Sequence, residues 1–277
     1  MKLKIFTLNW EGGDKLKKLY PSLINSLSNV DYEWIIKDNA SKDNSVEYLN
    51  SLKNDRIKVI KYKNNIQNFS EGMNLCFSEA APSDNDLILL LNNDVIFNDT
   101  MSLSNMINII NNDNSVGVVG SRLLFTDTNK LQHAGVVFDN NHKLPFHFRS
   151  GQKADSLSEK NRLFQVVTGA VLLTKAEYYK NICDNNKSGI KGLNERLVWA
   201  FDDVDACLSI NYNMNKKIVY CGKTNIFHEE SFSLKKKPDN KLFMNHNINL
   251  LLSKWNKRYI TDFDLYKDNP KYNLYKE

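Results

Sequence analysis

The chain has 277 residues, of which 42% are hydrophobic and 25% charged, an ordinary composition for a globular protein that buries a core without disulfides or a structural metal. Its 37 basic and 32 acidic residues give a net charge of +5. This mild excess falls short of a nucleic-acid-binding signature, so no nucleic-acid partner is expected, and it suits an anionic small molecule or peripheral contact with an acidic membrane surface.

The first 120 residues alternate between short apolar runs and segments whose apolar residues recur at helical spacing. Strands are predicted at residues 4–8, 33–37, 56–62, 87–91 and 116–119. Helices are predicted between them, at residues 16–27, 43–52, 70–81 and 101–110. Near-continuous apolar strands separated by amphipathic helices are typical of a parallel sheet covered on both faces. The pattern therefore predicts an α/β fold with a mostly parallel central sheet flanked by helices.

The second half of the chain is less regular. Strands are predicted at residues 131–138, 164–173, 218–221 and 225–227. Helical spacing occurs at 198–212, where Asp202 and Asp203 open the pattern, and again at 243–255. The tail from residue 262 to residue 277 is polar and rich in tyrosine, and we expect it to be loosely packed.

Polar clusters follow the first four predicted strands. Ligands of parallel sheets bind at the carboxyl ends of the strands, near the point where the strand order reverses. We therefore expect a ligand crevice lined by Asn9 and by residues 38–41, 64–68 and 92–94.

Asn92, Asn93 and Asp94 come directly after the apolar run at 87–91. A divalent ion bound to a diphosphate usually needs only one or two protein ligands, because phosphate oxygens and water supply the rest. Asp94 suits that role. A simple turn explains the same residues equally well, since Asn and Asp are common after strands.

Asp202 and Asp203 are acids in the first turn of a predicted helix, where the helix dipole stabilises an anion. Dipole matching alone accounts for the pair, and the functional alternative is a general base that stays ionised. His228 follows the short strand at 225–227 and could complete a metal site begun by Asp94, although a lone histidine is more often structural. The histidines predicted to be structural are His142, His147 and His246.

Several common sites are absent from the sequence. It contains no GxGxxG after the first strand, no GxxxxGK[ST], no GxSxG and no HExxH. A dinucleotide Rossmann site, a P-loop, a hydrolase elbow and a zinc protease site are therefore excluded.

Four segments of the first half match a family pattern in order and spacing. FTLNW at 6–10 is similar to a "VTYN" start, and DNASKDNS at 38–45 is similar to "DNxSxDxS". NIQNFSEGMN at 65–74 is similar to "NxGFAxGxN", with Asn68 where a glycine is usual. LLLNND at 89–94 is similar to "LLNPD", with Asn93 in place of a frequent proline.

The pattern continues in the second half. QHAG at 132–135 with Phe138-Asp139 is a feature of a polysaccharide-type subgroup, and TGA at 168–170 is similar to "SGA". LNE at 193–195 followed by FDDVD at 201–205 resembles "GFDE…FEDVDLC", and residues 219–228 resemble a "vyvP…vxH" ending that lacks its proline at Gly222. Over residues 4–233 the chain resembles an inverting family 2 glycosyltransferase of the GT-A fold, of the bacterial polysaccharide and rhamnosyltransferase-like type.

The resemblance implies roles for particular residues. Asp203 would be the general base, with Asp202 beside it, and Asp94 and His228 would hold Mn²⁺ or Mg²⁺. The implied nucleotide-binding residues are Thr7, Asn9, Asp38, Ser41, Gly72, Asn74, Asn92 and Asn93. The implied acceptor-side residues are Thr168, Gly169, Glu195 and Trp199. Lys235–Lys237 would be either a solvated loop or a flap that closes over the phosphates.

The resemblance also implies one GT-A domain with a nucleotide-binding half at 1–120, an acceptor-binding and catalytic half at 121–235, and a C-terminal helix and tail at 236–277. The donor would be a UDP- or dTDP-linked sugar, and the acceptor a hydroxyl of a glycan, a lipid-linked precursor or another molecule. Two alternatives are a non-catalytic GT-A-like binding module and a nucleotidyltransferase. The second needs a basic phosphate loop after the first strand, and residues 9–14 contain no basic residue.

The four cysteines form no CxxC pair and lie in apolar or mixed stretches, which predicts buried free thiols in a reducing compartment. We find no convincing secretion signal, and no apolar run approaches the roughly 20 residues of a membrane span. We therefore expect a cytoplasmic protein, with the inner face of the membrane as one place where it acts.

Overall fold

The computed structural model describes residues 1–62, 65, 68–198, 200–229 and 240–276. Trp199, Lys235–Lys237 and part of the predicted 64–68 cluster lie outside the described residues, so their predicted roles stay predictions. Among the helices in these ranges, none is long and apolar enough to cross a bilayer. None of the four cysteines, all of which the structure describes, forms a disulfide bond; three of them are buried, whereas Cys183 is only partly covered.

The first half of the chain alternates strands and helices as predicted. Its strands are β1 (Leu3–Asn9), β2 (Tyr32–Asp38), β3 (Ile57–Lys61) and β4 (Leu87–Leu91). Its helices are α1 (Gly13–Ser26), α2 (Ser45–Ser51), α3 (Phe69–Ala80) and α4 (Ser102–Asn112). The four strands pair in parallel in the order β3-β2-β1-β4, so their carboxyl ends lie along one edge of the sheet.

The remaining strands are β5 (Val95–Phe97), β6 (Val116–Phe125), β7 (Leu131–His133), β8 (Val136–Phe138), β9 (Pro145–His147), β10 (Arg162–Phe164), β11 (Val171–Lys175) and β12 (Lys217–His228). All of them extend this sheet except β8 and β9, which pair with each other in a separate sheet. The remaining helices are α5 (Ala176–Tyr179), α6 (Asp202–Leu208), α7 (Asn240–Trp255) and α8 (Phe263–Asp268). β11 runs antiparallel to both β4 and β6, and β12 runs parallel to β6. The predicted fold class, a mostly parallel sheet with a mixed second half, is confirmed.

Helices cover both faces of the sheet, and each face carries its own core. One core joins the apolar side chains of α3, α6 and α7 to the sheet, and the other joins those of α1, α2 and α4 to the opposite face. β4, with the sequence LILLL, is buried along its whole length because it contributes to both cores.

Two predicted strands are each interrupted. The predicted strand at 131–138 is split into β7 and β8 at Gly135, whose φ of +101° takes the chain out of the extended region. A Cβ atom at Gly135 would also overlap the ring of Phe164. The predicted strand at 164–173 is divided between β10, which ends at Phe164, and β11, which begins at Val171. Between them, the backbone N–H of Gly169 binds Asp203 on α6 instead of a neighbouring strand.

Other boundaries also differ from the sequence patterns. The predicted strands at 218–221 and 225–227 are one strand, β12, with a bulge between Cys221 and Ile226. The predicted helix at 198–212 begins only at Asp202, because Phe201 has a φ of +68°. It continues past Leu208 as a single π-helical turn at Ser209–Asn213.

The prediction of a loosely packed tail is wrong. The Tyr266 ring on α8 is 2% exposed and stacks on the Phe164 ring at a centroid distance of 4.3 Å. The buried carboxylate of Asp262 accepts a hydrogen bond from the backbone N–H of Phe138 at 2.9 Å. Tyrosine combines a large apolar ring with a hydroxyl that bonds to the backbone, so a polar-looking tail can cover a core.

Gly135→Ala is expected to destabilise the protein by about 2–4 kcal/mol, because the new methyl group overpacks the Phe164 ring and the backbone is left-handed. Urea unfolding measures the change. The matched control is Gly151→Ala, which has a φ of +79° but nothing within 4 Å of the added Cβ, and should cost only about 1–2 kcal/mol. Equal losses in the two variants would show that the contact with Phe164 is unimportant.

Candidate active site

A hydrogen-bonded network occupies the carboxyl ends of β1 and β2. The Asn9 side-chain amide donates to Asp38 Oδ1 at 2.9 Å, and the backbone N–H of Ser41 donates to Asp38 Oδ2 at 3.0 Å. The Asn93 amide, from the segment after β4, donates to Asn9 Oδ1 at 2.9 Å. The structure therefore brings together four of the predicted nucleotide-binding residues.

Asp94 and His228 are in direct contact at the end of β4. The His228 Nε2 atom lies 3.1 Å from Asp94 Oδ1, and both side chains are mostly buried. The pairing of β12 with β5 places them, because His228 lies opposite Val95 and the backbone N–H of Glu229 donates to the carbonyl of Asp94 at 2.9 Å. Two residues 134 positions apart in sequence thus converge on one point.

The surroundings favour the ionised form of Asp94. Burial opposes ionisation, but the hydrogen bond and charge of His228 and the charge of Lys15 outweigh it and hold the pKa of Asp94 below its usual value. The Lys15 ammonium on α1 lies 3.4 Å from Asp94 Oδ2. Both oxygens of this carboxylate therefore face a nitrogen that can carry positive charge.

Gln132 orients the imidazole of His228. Its side-chain oxygen lies 2.6 Å from His228 Nδ1, and its amide donates to the backbone carbonyl of His228 at 3.2 Å. Since that oxygen is an acceptor, the Nδ1 atom carries a proton, and Nε2, on the side of the ring that faces Asp94, is the nitrogen that can bind a metal. His228 Nε2 and Asp94 Oδ1, which lie 3.1 Å apart, can therefore act together as ligands of one metal ion.

This donor pair fits a divalent ion that shares its coordination sphere with a diphosphate. One carboxylate and one imidazole are an acceptable protein contribution when phosphate oxygens and water complete the shell. In the part of the chain that the structure describes, no cluster of three or more His, Cys, Asp or Glu side chains is arranged to hold a metal. A metal held by protein side chains alone is therefore not supported within those residues.

The second acidic pair begins α6. The backbone N–H of Gly169 donates to Asp203 Oδ2 at 2.8 Å, and the N–H of Val204 donates to Oδ1 at 2.8 Å. Burial, followed by the charge of Asp203, raises the pKa of Asp202. Burial also raises the pKa of Asp203, against the opposing effects of the Gly169 hydrogen bond and the charge of His147.

A short chain of contacts connects the two acidic sites. Gly169, which binds Asp203, is followed by Ala170, whose carbonyl accepts from the backbone N–H of Asn92 at 2.9 Å. The Asn92 side-chain amide in turn lies 3.2 Å from His228 Nε2. Because β11 is antiparallel to β4, its first residues meet the carboxyl end of β4. Asp203 and the Asp94–His228 pair therefore lie at the same edge of the sheet.

Helix α7 holds the start of α6 in place. The buried Asn247 side chain donates to the carbonyls of Val198 and Ala200 and accepts from the N–H of Val198. One helical turn into α6, the buried Asp205 accepts from the Trp255 indole at 2.6 Å and pairs with Lys254 at 2.8 Å. The sequence patterns predicted neither contact, because the partners are 47 to 50 residues apart and have no local signature.

Some predicted site residues are engaged in packing. The hydroxyl of Thr7 is fully buried and accepts from the Trp34 indole at 2.9 Å. Gly72 lies on α3 against Leu8, where a Cβ would approach to 3.0 Å. The Thr168 backbone N–H lies 3.4 Å from the buried His133 ring.

Asn74 and Glu195 are bound to each other. Asn74 donates to Leu193 and to Glu195 Oε1, and accepts from Tyr179 and from the N–H of Leu193. These four bonds use the full capacity of its side chain. Glu195 also accepts from the hydroxyl of Ser188 at 2.6 Å. Both residues fasten the 186–195 loop to α3, and Asn74 has no donor or acceptor left for a ligand.

Two residues near the site had no predicted role. Lys15 lies in the first turn of α1, and its proximity to Asp94 depends on tertiary packing that the sequence does not show. His147, which the sequence left as structural, lies beside His133 at a ring distance of 4.9 Å and acts electrostatically on Asp203.

The sequence matches the model of Glycosyl transferase family 2 over residues 7–176. A comparison with curated proteins finds no sequence that matches this chain. Solved structures do match. GalNAc-T7 with UDP, GalNAc and Mn²⁺ has a TM-score of 0.68 at 10% identity, with 100% of this chain and 52% of the other covered.

Two microbial proteins are also similar. The mannosyltransferase PcManGT from Pyrobaculum calidifontis, in complex with GDP-Man and Mn²⁺, has a TM-score of 0.57 at 9% identity, with 84% of this chain and 58% of the other covered. S. aureus TarS 1–349 in complex with UDP-GlcNAc has a TM-score of 0.58 at 13% identity, with 86% and 62% covered.

The chain thus spans between half and two thirds of the length of these three solved chains, and at such identities the likeness shows the fold. The family model covers more than half of the chain, and the mixed sheet matches that of the solved structures. The chain belongs to glycosyl transferase family 2 and has the GT-A fold.

Proposed function

We propose that the protein transfers a sugar from a UDP- or dTDP-linked donor to a hydroxyl group of a glycan or lipid-linked acceptor, with inversion at the anomeric carbon. The observation that carries the proposal is the convergence of Asp203 and the Asp94–His228 pair at one edge of the sheet. The related solved structures hold UDP, GDP-Man or UDP-GlcNAc, which supports a nucleotide-sugar donor.

The nucleotide would lie over the Asn9–Asp38–Asn93 network. Asn9 is fully buried and Asp38 nearly so, and both are fixed by neighbouring amides before any ligand arrives. Such rigid polar groups can select a ligand without first losing conformational entropy. Asp38 would contact the base and Asn92 the ribose side.

Asp94 and His228 would hold Mn²⁺ or Mg²⁺, which supplies positive charge to a leaving diphosphate. Two of the similar solved structures contain Mn²⁺, and that agrees with the choice of ion. The tautomer set by Gln132 presents the Nε2 lone pair that a metal needs.

Asp203 would act as the general base. It would take the proton from the acceptor hydroxyl while that oxygen attacks the anomeric carbon and the diphosphate leaves from the opposite face. Its raised pKa makes it a stronger base than an ordinary aspartate, and the two backbone N–H groups hold the carboxylate in a fixed orientation. Gly169, which binds this carboxylate, and Thr168 before it would border the acceptor pocket.

Asp203→Asn is expected to lower sugar transfer by about 10²–10⁴-fold while leaving nucleotide binding unchanged, because only base catalysis is removed. The measurement is release of UDP or dTDP from a panel of nucleotide sugars with Mn²⁺, using glycan and alcohol acceptors. The exposed Asp55→Asn is the control. Wild-type turnover in Asp203→Asn would contradict the assignment. Release of pyrophosphate in a separate incubation with UTP or dTTP and a sugar 1-phosphate would indicate a nucleotidyltransferase.

Asp94→Ala should abolish the gain in UDP or dTDP affinity that Mn²⁺ gives the wild type, since one of two protein ligands is lost. Calorimetric titration with and without EDTA gives the comparison. If Mn²⁺ strengthens nucleotide binding equally in both proteins, the metal lies elsewhere.

Asp202→Asn should change the pH dependence of stability. Because burial keeps the proton on Asp202 where an unfolded aspartate has lost it, the native state binds more protons, and the free energy of unfolding falls as pH rises above about 4. The variant lacks this titration, so it gains stability relative to wild type between about pH 5 and about pH 8. Urea midpoints at both pH values test this, with Asp55→Asn expected to follow wild type. A constant difference between Asp202→Asn and wild type would contradict the shift.

A further inference from the structure

The Lys15 ammonium lies beside the candidate metal site, and the proposed reaction gives it no role so far. It lies 3.4 Å from Asp94 Oδ2, with side-chain exposures of 16% for Lys15 and 10% for Asp94. At this degree of burial the two charges are poorly screened by solvent, unlike a surface ion pair. The contact also joins the first turn of α1 to the segment that follows β4.

Two glycines bring Lys15 to this position. A Cβ at Gly12 would overlap the Asn9 and Asn93 side chains, and a Cβ at Gly13 would overlap Asn44. Without side chains, this segment lets α1 begin directly against the polar network, and the N–H of Gly13 donates to Asp43 Oδ2 at 2.8 Å. Leu16 and Leu19 then anchor the helix in the core. The close packing of the two glycines before Lys15 and the burial of the two leucines after it therefore hold Lys15 over the carboxyl ends of the strands.

The charge balance at Asp94 changes when a divalent ion arrives. In the protein alone, Oδ1 faces His228 and Oδ2 faces Lys15. An ion bound to Asp94 and His228 adds two positive charges within a few ångströms of the Lys15 ammonium, which repel it. The incoming diphosphate then offers negative charge within reach of Lys15.

We infer that Lys15 neutralises Asp94 in the protein without donor, and that it exchanges this carboxylate for the donor's diphosphate when metal and nucleotide bind. The inference rests on the proposed function and deepens it, since it assigns a second, protein-borne cation to the leaving group. A lysine is suited to such an exchange because its ammonium is a compact charge on a flexible stem. The alternative is an ion pair that merely fastens α1 to the sheet.

The test compares Lys15→Met with Lys17→Met. Methionine keeps an unbranched apolar stem and removes the charge. Lys17 lies on the same helix but pairs with the exposed Asp14. Calorimetry measures two affinities, that of Mn²⁺ alone and that of inorganic pyrophosphate with Mn²⁺ in excess, and circular dichroism checks that the variants are folded. Pyrophosphate serves as the probe because it carries the diphosphate charge without depending on the base.

Lys15→Met should bind Mn²⁺ about 3–10-fold more tightly and pyrophosphate about 10-fold more weakly than wild type, and Lys15→Arg should restore pyrophosphate binding. Lys17→Met should match wild type for both. Unchanged pyrophosphate affinity in a folded Lys15→Met protein would overturn the inference and leave the proposed function standing. If wild type binds pyrophosphate through Lys15 but no UDP or dTDP, the nucleotide-donor proposal fails separately.

Discussion

The direction of β11 is the constraint on which the rest of the site depends. Because this strand is inserted antiparallel between β4 and β6, its first residues meet the last residues of β4, and the carbonyl of Ala170 accepts from the N–H of Asn92. One residue earlier, the N–H of Gly169 binds Asp203. A parallel β11 would begin at the opposite edge of the sheet. The antiparallel strand therefore brings the second acidic pair to the edge where the first half of the chain presents its polar side chains.

Two acidic centres at one edge acquire opposite properties from their neighbours. Asp94 is buried beside an imidazole and an ammonium, and its pKa is lowered. Asp203 is partly buried beside another carboxylate and receives hydrogen bonds from two backbone amides, and its pKa is raised. The two environments shift the carboxylate pKa values in opposite directions and so suit the two residues to different roles. The environment of Asp94 favours cation binding, and that of Asp203 favours proton transfer. The assignment of metal ligand and base thus agrees with the electrostatics as well as with the motif order.

The sequence predicted those features that depend on local pattern. Strands such as LILLL at 87–91 and the polar residues after them follow from periodicity, and parallel pairing then places their ends together. The break at Gly135 could not be read in the same way, because it depends on the Phe164 ring 29 residues away. The burial of Tyr266 and the contact between Lys15 and Asp94 are likewise tertiary. The prediction for the tail was wrong because it used polarity alone. A tyrosine hydroxyl lowers the hydropathy of a segment without preventing burial of the ring.

Asn74 shows that a match to a family motif does not by itself identify a ligand-binding residue. It lies in a segment similar to a nucleotide-side loop, yet its four hydrogen bonds all end on Leu193, Glu195 and Tyr179. Replacing it would leave buried partners unsatisfied, so selection for the fold alone can preserve an asparagine there. Its effect on the reaction would pass through Glu195 and the 186–195 loop, which stands ahead of α6 in the chain. A motif match at such a position can therefore reflect a structural role. Whether the residue also binds a ligand depends on which of its donor and acceptor atoms are still unsatisfied and on what surrounds them.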